Sequence, residues 1–151
     1  MSAEVLGVAD AVVIALNGNT FTAPYASLAA SRKYVPVYNL KELISLQVTV
    51  VAHALAETVI ARSFKRQVDY QIDIGFQMRV AGLDQATVDG LMALVEEVAD
   101  FLISTAQVLT LASGKPATPI GLVNEPIYDP KILDEEQVFL SVLTITYRMF
   151  R

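Results

Sequence analysis

The sequence contains no cysteine and a single histidine in 151 residues, so most residue-based chemistry is excluded at once. Without cysteine there is no disulfide framework, no thiolate nucleophile and no thiolate metal ligand. Zinc sites are built from several His or Cys ligands, so His53 cannot form one by itself. We therefore expect a structural or interface role for His53, and no metal or cofactor.

Glycines and basic residues are also few, and neither is arranged to bind phosphate. No two of the seven glycines lie close enough to form a dinucleotide fingerprint or a phosphate loop. Eleven basic against sixteen acidic residues give a formal net charge of −5. The one basic cluster contains Arg62, Lys65 and Arg66, and ion pairing with acidic groups is the commoner use of such a cluster. A nucleic acid is not expected as the main partner.

Long apolar runs are missing too, although 54% of the residues are hydrophobic. Polar residues such as Asp10, His53 and Glu57 interrupt every stretch before it reaches the ~20 residues that span a bilayer. Residues 1–4 (MSAE) lack the positive charge of a secretory signal peptide, so no membrane partner is expected. We predict a single domain over residues 1–151, with more apolar side chains than its core requires. Part of that surplus is interpreted as an interface.

Two segments have the apolar spacing of amphipathic helices. The first begins near Ala3, and Asn17-Gly18-Asn19 follows it as a stop. The second begins after Asp84, whose carboxylate can cap the helix, and continues to about Ser104. Their apolar stripes contain Val5, Val8, Val12 and Leu16 in the first helix, and Val88, Leu91, Val95, Val98 and Leu102 in the second.

Alternating or β-branched patterns predict four to five strands. The ranges are 26–37, 46–51, 69–79, one or two short strands within 109–127, and 138–148. The middle of the last strand is apolar enough on both faces to be covered. Residues 54–63 are interpreted as irregular or helical, and 134–136 as an exposed connection. This order predicts an α+β fold, with an antiparallel sheet of about four to five strands and two main helices packed on one face.

Acidic side chains offer the only other candidates for chemistry. Asp69 and Asp73 share the polar face of one predicted strand, as paired acids or metal ligands would. The intervening Gln71 instead indicates a solvated or subunit-facing surface. A second acidic cluster on the second helix is typical of an exposed, solvated face: Glu96, Glu97 and Asp100. We predict that the protein is not an enzyme. An enzymatic function would have to depend on Asp69, Asp73 and His53.

Four segments carry a resemblance to a known family. They are 32–43 (RKYVPVYNLKEL), 69–74 (DYQIDI), 124–128 (NEPIY) and 139–147 (FLSVLTITY). Together they resemble the small tail-completion or tail-terminator-like proteins of tailed bacteriophages, in order along most of the chain and including both predicted helices. These segments are packing patterns and contain no chemical signature.

The resemblance implies a non-catalytic α+β subunit that forms a ring, commonly a hexamer, at the head-proximal end of the tail. Such a ring ends the tail tube and joins it to the head connector or neck. It implies the virion as location, after assembly in the host cytoplasm, with DNA only passing nearby through the channel. An acidic subunit would let DNA slide past.

Head-to-tail ring contacts would be made by exposed loops and strand ends, with aromatic and arginine anchors. The candidates on one side are Arg32, Tyr34 and Tyr38, and those on another side are Asn124, Tyr128, Asp134 and Glu135. The alternative interpretation is a small binding or regulatory module that holds a protein partner in an apolar groove or along a strand edge.

Overall fold

The computed structural model describes residues 3–39, 41–60, 65–104 and 108–151. Within these ranges, two short 3-10 helices, Glu42–Ile44 and Ala81–Leu83, accompany the main elements. The α+β class predicted from the sequence is confirmed. The main elements, in chain order, are α1 (Glu4–Gly18), β1 (Ala30–Arg32), β2 (Gln47–Ile60), β3 (Lys65–Arg79), α2 (Gln85–Ile103), β4 (Leu109–Thr110), β5 (Pro116–Asn124), α3 (Pro130–Glu136) and β6 (Val138–Phe150).

The described strands form one six-stranded sheet in the order β1-β2-β3-β6-β5-β4. The prediction of about four to five antiparallel strands is only roughly right, because the sheet has six strands and β1 runs parallel to β2. The strand predicted over 26–37 is three residues long, and β4 has two, so neither is long enough to show a period. Strands β1 and β2 both start from the same end of the sheet, because their pairing is parallel.

The core lies between one face of the sheet and the two long helices. In β3 the even-numbered side chains from Val68 to Phe76 are buried, while the odd-numbered ones are less buried. Apolar side chains of α1, α2, β3 and β6 form one cluster on this face, as the helical and strand periods predicted. Among the described residues, no helix is both long and apolar enough to cross a bilayer.

Strand β2 is the largest departure from the sequence reading. Residues 54–60 were expected to be irregular or helical, but they continue β2 and pair with β3 down to Ile60–Lys65. A β-bulge between Ala52 and Ala54 leaves His53 unpaired and shifts the side-chain alternation by one residue. The shift breaks the period of two, and the alanines favour a helix locally, so the strand is visible only through its pairing with β3. Residues 61–63 of that expectation lie outside the described residues.

The ends of the helices follow local sequence signals. Helix α1 ends at Gly18 as predicted, and Asn39 Oδ1 accepts from the Glu42 backbone N–H at the start of the first 3-10 helix. The Asp84 carboxylate accepts from the Ala86 N–H and the Thr87 hydroxyl, which confirms the predicted start of α2. Residues 134–136 were expected to be a connection but belong to α3. Asp129 and Pro130 start that helix, since Asp129 accepts from two first-turn N–H groups.

A polar cluster fastens the start of α1 to the sheet. The Glu4 carboxylate accepts from the Tyr70 hydroxyl at 2.8 Å, from Lys115 Nζ at 3.2 Å and from Arg151 Nε at 3.2 Å. Burial raises the pKa of Glu4, but these three donors outweigh burial, and the net pKa is below its usual 4.5. Burial and the Glu4 carboxylate raise the pKa of Tyr70 to about 12. The cluster therefore joins three distant parts of the chain at one ionised carboxylate.

Candidate interaction surface

The second face of the sheet, called the open face here, lies opposite α1 and α2. It is formed by the odd-numbered side chains of β3 from Asp69 to Gln77 and the even-numbered ones of β6 from Leu140 to Arg148. Most of these side chains are only half-buried. The sequence predicted that both faces of the final strand, β6, are covered. Helices α1 and α2 cover only one face of it. Residues 33–39 reach the end of the open face, where Gln77 Nε2 donates to the Pro36 carbonyl at 3.2 Å.

Polar side chains occupy the centre of the open face. Asp73 accepts from Thr144 Oγ1 at 2.7 Å through one oxygen, and its other oxygen lies 2.6 Å from His53 Nδ1. The β2 bulge places His53 over β3, so the structure brings together two of the three residues considered for chemistry. His53 remains about half exposed, with 53% of its side chain accessible. Three neighbouring strands, β2, β3 and β6, thus share a hydrogen-bonded group at the surface.

This group does not have the arrangement of a catalytic triad. In such a triad the nucleophile bonds to the imidazole, and the carboxylate bonds to the far side of the ring. Here, among the described residues, the Thr144 hydroxyl hydrogen-bonds to the Asp73 carboxylate and not to His53, so the bond from nucleophile to imidazole that a triad requires is missing. The described residues also hold no cluster of three or more ligands for a metal ion. The geometry fits cross-strand bonding on a surface.

Two of the other acidic candidates, Asp69 and Glu97, have partners within the chain. Arg148 forms a bidentate salt bridge with Asp69 across the β3–β6 ladder: its Nε donates to Oδ1 at 2.9 Å and its Nη2 donates to Oδ2 at 3.1 Å. The hydrogen bonds to Asp69 raise the pKa of Arg148. Asp69 and Asp73 therefore do not act as a pair. Glu97 of the acidic helix cluster accepts from the Thr22 backbone N–H and hydroxyl.

The basic cluster is also partly paired. Arg66 Nη1 lies 3.0 Å from Glu57 across the β2–β3 hairpin. Arg62 lies outside the described residues. The salt bridge of Arg66 agrees with the expectation that this basic cluster pairs with acidic groups and does not bind phosphate.

The first predicted interface group lies near β1. Arg32 Nε bonds to Asp10 at 2.7 Å and its guanidinium lies 5.5 Å from the centre of the Tyr34 ring. Tyr34 itself is 72% exposed. The Tyr38 hydroxyl instead bonds to Thr49 Oγ1, and Lys33 Nζ lies 4.0 Å above the Tyr38 ring. Tyr34 is thus the member of this group that is presented most fully to solvent.

The second predicted group lies around β5 and α3. The Asn124 amide donates to the Val142 carbonyl at 2.8 Å and to Ser141 Oγ at 3.1 Å, so it fixes the β5–β6 connection. Asp134 and Glu135 are exposed on α3. The segment that contains Tyr38 lies close to α3. One cavity of about 270 Å³ is lined by Val37 and Tyr38 on one side and by Ile132 and Glu136 of α3 on the other.

A separate apolar pocket lies between α2 and α3. Its volume is about 340 Å³, and Tyr128 and Asp134 are on its wall. The apolar part of the lining comes from both helices and the preceding 3-10 turn, namely Leu83, Val88, Met92, Pro130 and Leu133. This pocket is the best candidate in the described chain for holding an apolar side chain of another protein.

Several exposed apolar side chains were missed by the sequence reading. Val35 and Val37 are exposed beside Tyr34, and Leu55 and Val59 are exposed along the second half of β2. The sequence signal that could have revealed the full length of β2 is its near lack of charge. Glu57 is the only formally charged residue between Gln47 and Ile60. On β5 the exposed apolar side chains are Ile120 and Val123.

No protein-family model matches the sequence, and no curated protein matches it. Solved structures do share the fold, and 25 chains match. One of them aligns with a TM-score of 0.55 and 12% sequence identity, over 99% of this chain and 96% of the other. At that identity the similarity shows the fold alone.

Proposed function

We propose that the protein is a structural subunit of a tailed phage that forms a ring at the head-proximal end of the tail. In this role it ends the tail tube and joins it to the head connector. It acts by packing against copies of itself and against tail-tube and neck proteins, and it performs no chemistry. The four sequence segments that resemble tail-terminator-like proteins give this proposal its phage context.

The observation that carries the proposal is apolar surface at one end of the open face, which the described residues leave exposed. Tyr34, Val35 and Val37 form an exposed loop at the end of the open face, with Val37 71% exposed. A further cavity of about 170 Å³ lies on that face between Pro36, Val51 and Val142. Soluble monomers rarely leave contiguous apolar surface exposed, so this region is suited to contact with other subunits.

Charge is consistent with a subunit beside a DNA channel. The net charge is −5, and Arg32, Arg66, Arg148 and Arg151 are each paired with an acidic group of the same chain. Such a surface gives DNA little to bind, because binding depends on free basic groups that release counterions. A channel-lining subunit of this type would let DNA pass.

The mass of the chain in solution tests the proposal directly. Light scattering behind a sizing column, at several concentrations, is expected to show a ring of about six times 16.4 kDa. Replacing Tyr34 and Val37 by serine should weaken the ring, because both side chains are exposed in the single chain. The matched control is Ile14→Ser, at an equally exposed position of α1. A wild-type chain that stays monomeric and binds no tail-tube or neck protein would rule the proposal out.

The pocket between α2 and α3 favours one alternative, a small module that binds a protein partner through an apolar anchor. Met92→Lys would place a charge in this pocket and should abolish that binding. Capture of tail-tube or neck proteins would support the first proposal. Capture of a host protein that is lost with Met92→Lys would support the alternative.

A further inference from the structure

Among the described residues, one edge of β2 makes no backbone hydrogen bond from Ala52 to Val59. Its neighbour β1 pairs only with Val48–Val50, and one more bond joins the Lys33 N–H to the Val50 carbonyl. From Ala52 to Val59, no described backbone group bonds to this edge. The edge therefore offers a row of N–H and C=O groups to an incoming strand.

Strand β5 has an equivalent edge on the other side of the sheet. Its neighbour β4 pairs only with Pro116 and Ala117. From Thr118 to Asn124, the described backbone bonds of β5 go to β6 alone. The two free edges thus belong to opposite borders of the same sheet.

The free parts of the two edges are level with each other across the sheet. The ladder registers connect Ala52 through Ile72 and Ile145 to Leu122. They connect Ala56 through Asp69 and Arg148 to Thr118 in the same way. Strand β1 covers the border on one side of this window and β4 covers it on the other side, so residues 52–56 and 118–122 are both open at the same height.

The direction of the strands also fits. From β2 through β3 and β6 to β5 there are three antiparallel steps, so β2 and β5 run in opposite directions. A copy placed beside this one in the same orientation would bring its β2 against β5 as an antiparallel pair. Such a pair needs no reversal of the sheet.

Both edge windows lack the charged side chains that commonly prevent strand addition. The window 52–56 (AHALA) has no formal charge, and neither has 118–122 (TPIGL). Leu55 is 51% exposed and Ile120 is 42% exposed in the single chain. Natural edge strands are usually blocked by lysine, by extra proline, by a bulge or by a covering element. Here such features are the β2 bulge, Pro119 and the register shift between Pro119 and Gly121 in β5. Neither window carries a formal charge, and Leu55 and Ile120 remain exposed.

We propose that the β2 edge of one copy pairs with the β5 edge of the next, so that one sheet continues from subunit to subunit. The partner is a second copy of this chain because each molecule carries both halves of the contact, on opposite borders. Such a head-to-tail contact propagates until a ring closes. This inference rests on the proposed function and names the surfaces that join the ring.

Two double variants test the pairing by each blocking one edge. The β2 variant carries Ala54→Lys and Leu55→Lys, and the β5 variant carries Ile120→Lys and Val123→Lys. All four positions are exposed in the single chain, so folding should be retained. Each variant alone should lose self-association by on the order of 100-fold or more, since two lysines would be buried in the strand pair. The control carries Ile14→Lys and Ile103→Lys on the helices and should keep the wild-type mass.

The decisive measurement is an equimolar mixture of the two variants. The β5 variant keeps a free β2 edge and the β2 variant keeps a free β5 edge, so the mixture should form a dimer of one copy of each and grow no further. This outcome also proves that both variants are folded. A two-fold β2–β2 contact would instead leave the β5 variant dimeric by itself, and that result would overturn the head-to-tail pairing.

The failures of the two proposals can be told apart. If the wild-type chain forms a ring and both variants form it too, the edge pairing is wrong while the ring remains. If the variants are monomeric but their mixture yields no dimer, the edge pairing is also wrong. A wild-type chain that is monomeric at every concentration overturns both proposals.

Discussion

Tyr70 and Tyr147 stand opposite each other in the β3–β6 ladder, and both rings are buried. The Tyr70 hydroxyl donates to Glu4 and accepts from Arg151. The Tyr147 hydroxyl is buried without a hydrogen-bond partner in the described part of the chain, and burial raises its pKa. A buried hydroxyl without a partner costs free energy, whereas a bonded one contributes to stability.

These tyrosines give a matched pair of substitutions. Tyr147→Phe should leave the free energy of unfolding unchanged or raise it by up to ~1 kcal/mol, because it removes an unpaired polar group. Tyr70→Phe should lower it by about 1–2 kcal/mol, because it removes bonds to two charged side chains. Urea unfolding of both variants measures the difference. The opposite order would mean that the Tyr147 hydroxyl has a partner in solution.

The lowered pKa of Glu4 should make the free energy of unfolding depend on pH. Because its pKa is lower in the folded than in the unfolded chain, its ionisation contributes stability at pH values above about 4.5 that is lost as the pH falls through the folded pKa. Glu4→Gln should therefore destabilise the protein by about 1–2 kcal/mol at pH 7 and by less below pH 4.5. Glu135→Gln on exposed α3 is the control. Urea midpoints between pH 3 and 7 would contradict the assignment if the Glu4→Gln difference stayed constant.

At the scale of elements, helix α2 begins where a local signal places it. Asp84 Oδ1 accepts from the Ala86 N–H at 3.3 Å, and Asp84 Oδ2 accepts from the Thr87 hydroxyl at 2.7 Å. Asp84→Ala should cost about 1 kcal/mol of stability, because the Ala86 N–H and the Thr87 hydroxyl lose their acceptor. Asp89→Ala, one turn later on the exposed face, changes the same charge without removing a cap. Equal losses for the two variants in thermal unfolding would show that capping is not the cause.

Strand β2 shows where local reading fails at this scale. The segment 52–60 has alanines that favour helix and a bulge that interrupts the period of two, so no sequence window identifies a strand there. Pairing with β3 stabilises it, and the alternation of β3 from Tyr70 to Met78 was readable. The bulge also explains why the contact between His53 and Asp73 could not be foreseen, since it depends on one unpaired residue.

At the scale of the whole molecule, association should change apparent stability. If the protein forms a ring, its thermal midpoint should rise with protein concentration, because association stabilises only the folded chain. A change from about 1 to 100 µM should raise the midpoint by several degrees for wild type. The β2 and β5 double-lysine variants should show no such rise, while the Ile14/Ile103 control should follow wild type. A midpoint of wild type that does not depend on concentration would argue against association under these conditions.

The sequence by itself determined the parts of this protein that depend on neighbours a few residues apart. The apolar stripes of α1 and α2, the Asp84 cap, the alternation of β3 and the β-branched final strand follow from periods of 3.6 and 2, and they suffice for the α+β class. The same reading identified the absence of cysteine and of a second histidine.

Only the tertiary structure decided the features that depend on pairing between distant residues. These are the number and direction of the strands, the hairpin of β2 and β3, the bonds that occupy Asp69, Asp73 and Asn124, and the two level strand edges. The physical reason is that a backbone hydrogen bond between strands does not depend on side-chain identity, so its partner is set by packing of the whole sheet. The free backbone edges of β2 and β5 could therefore be located only from the complete strand pairing of the sheet.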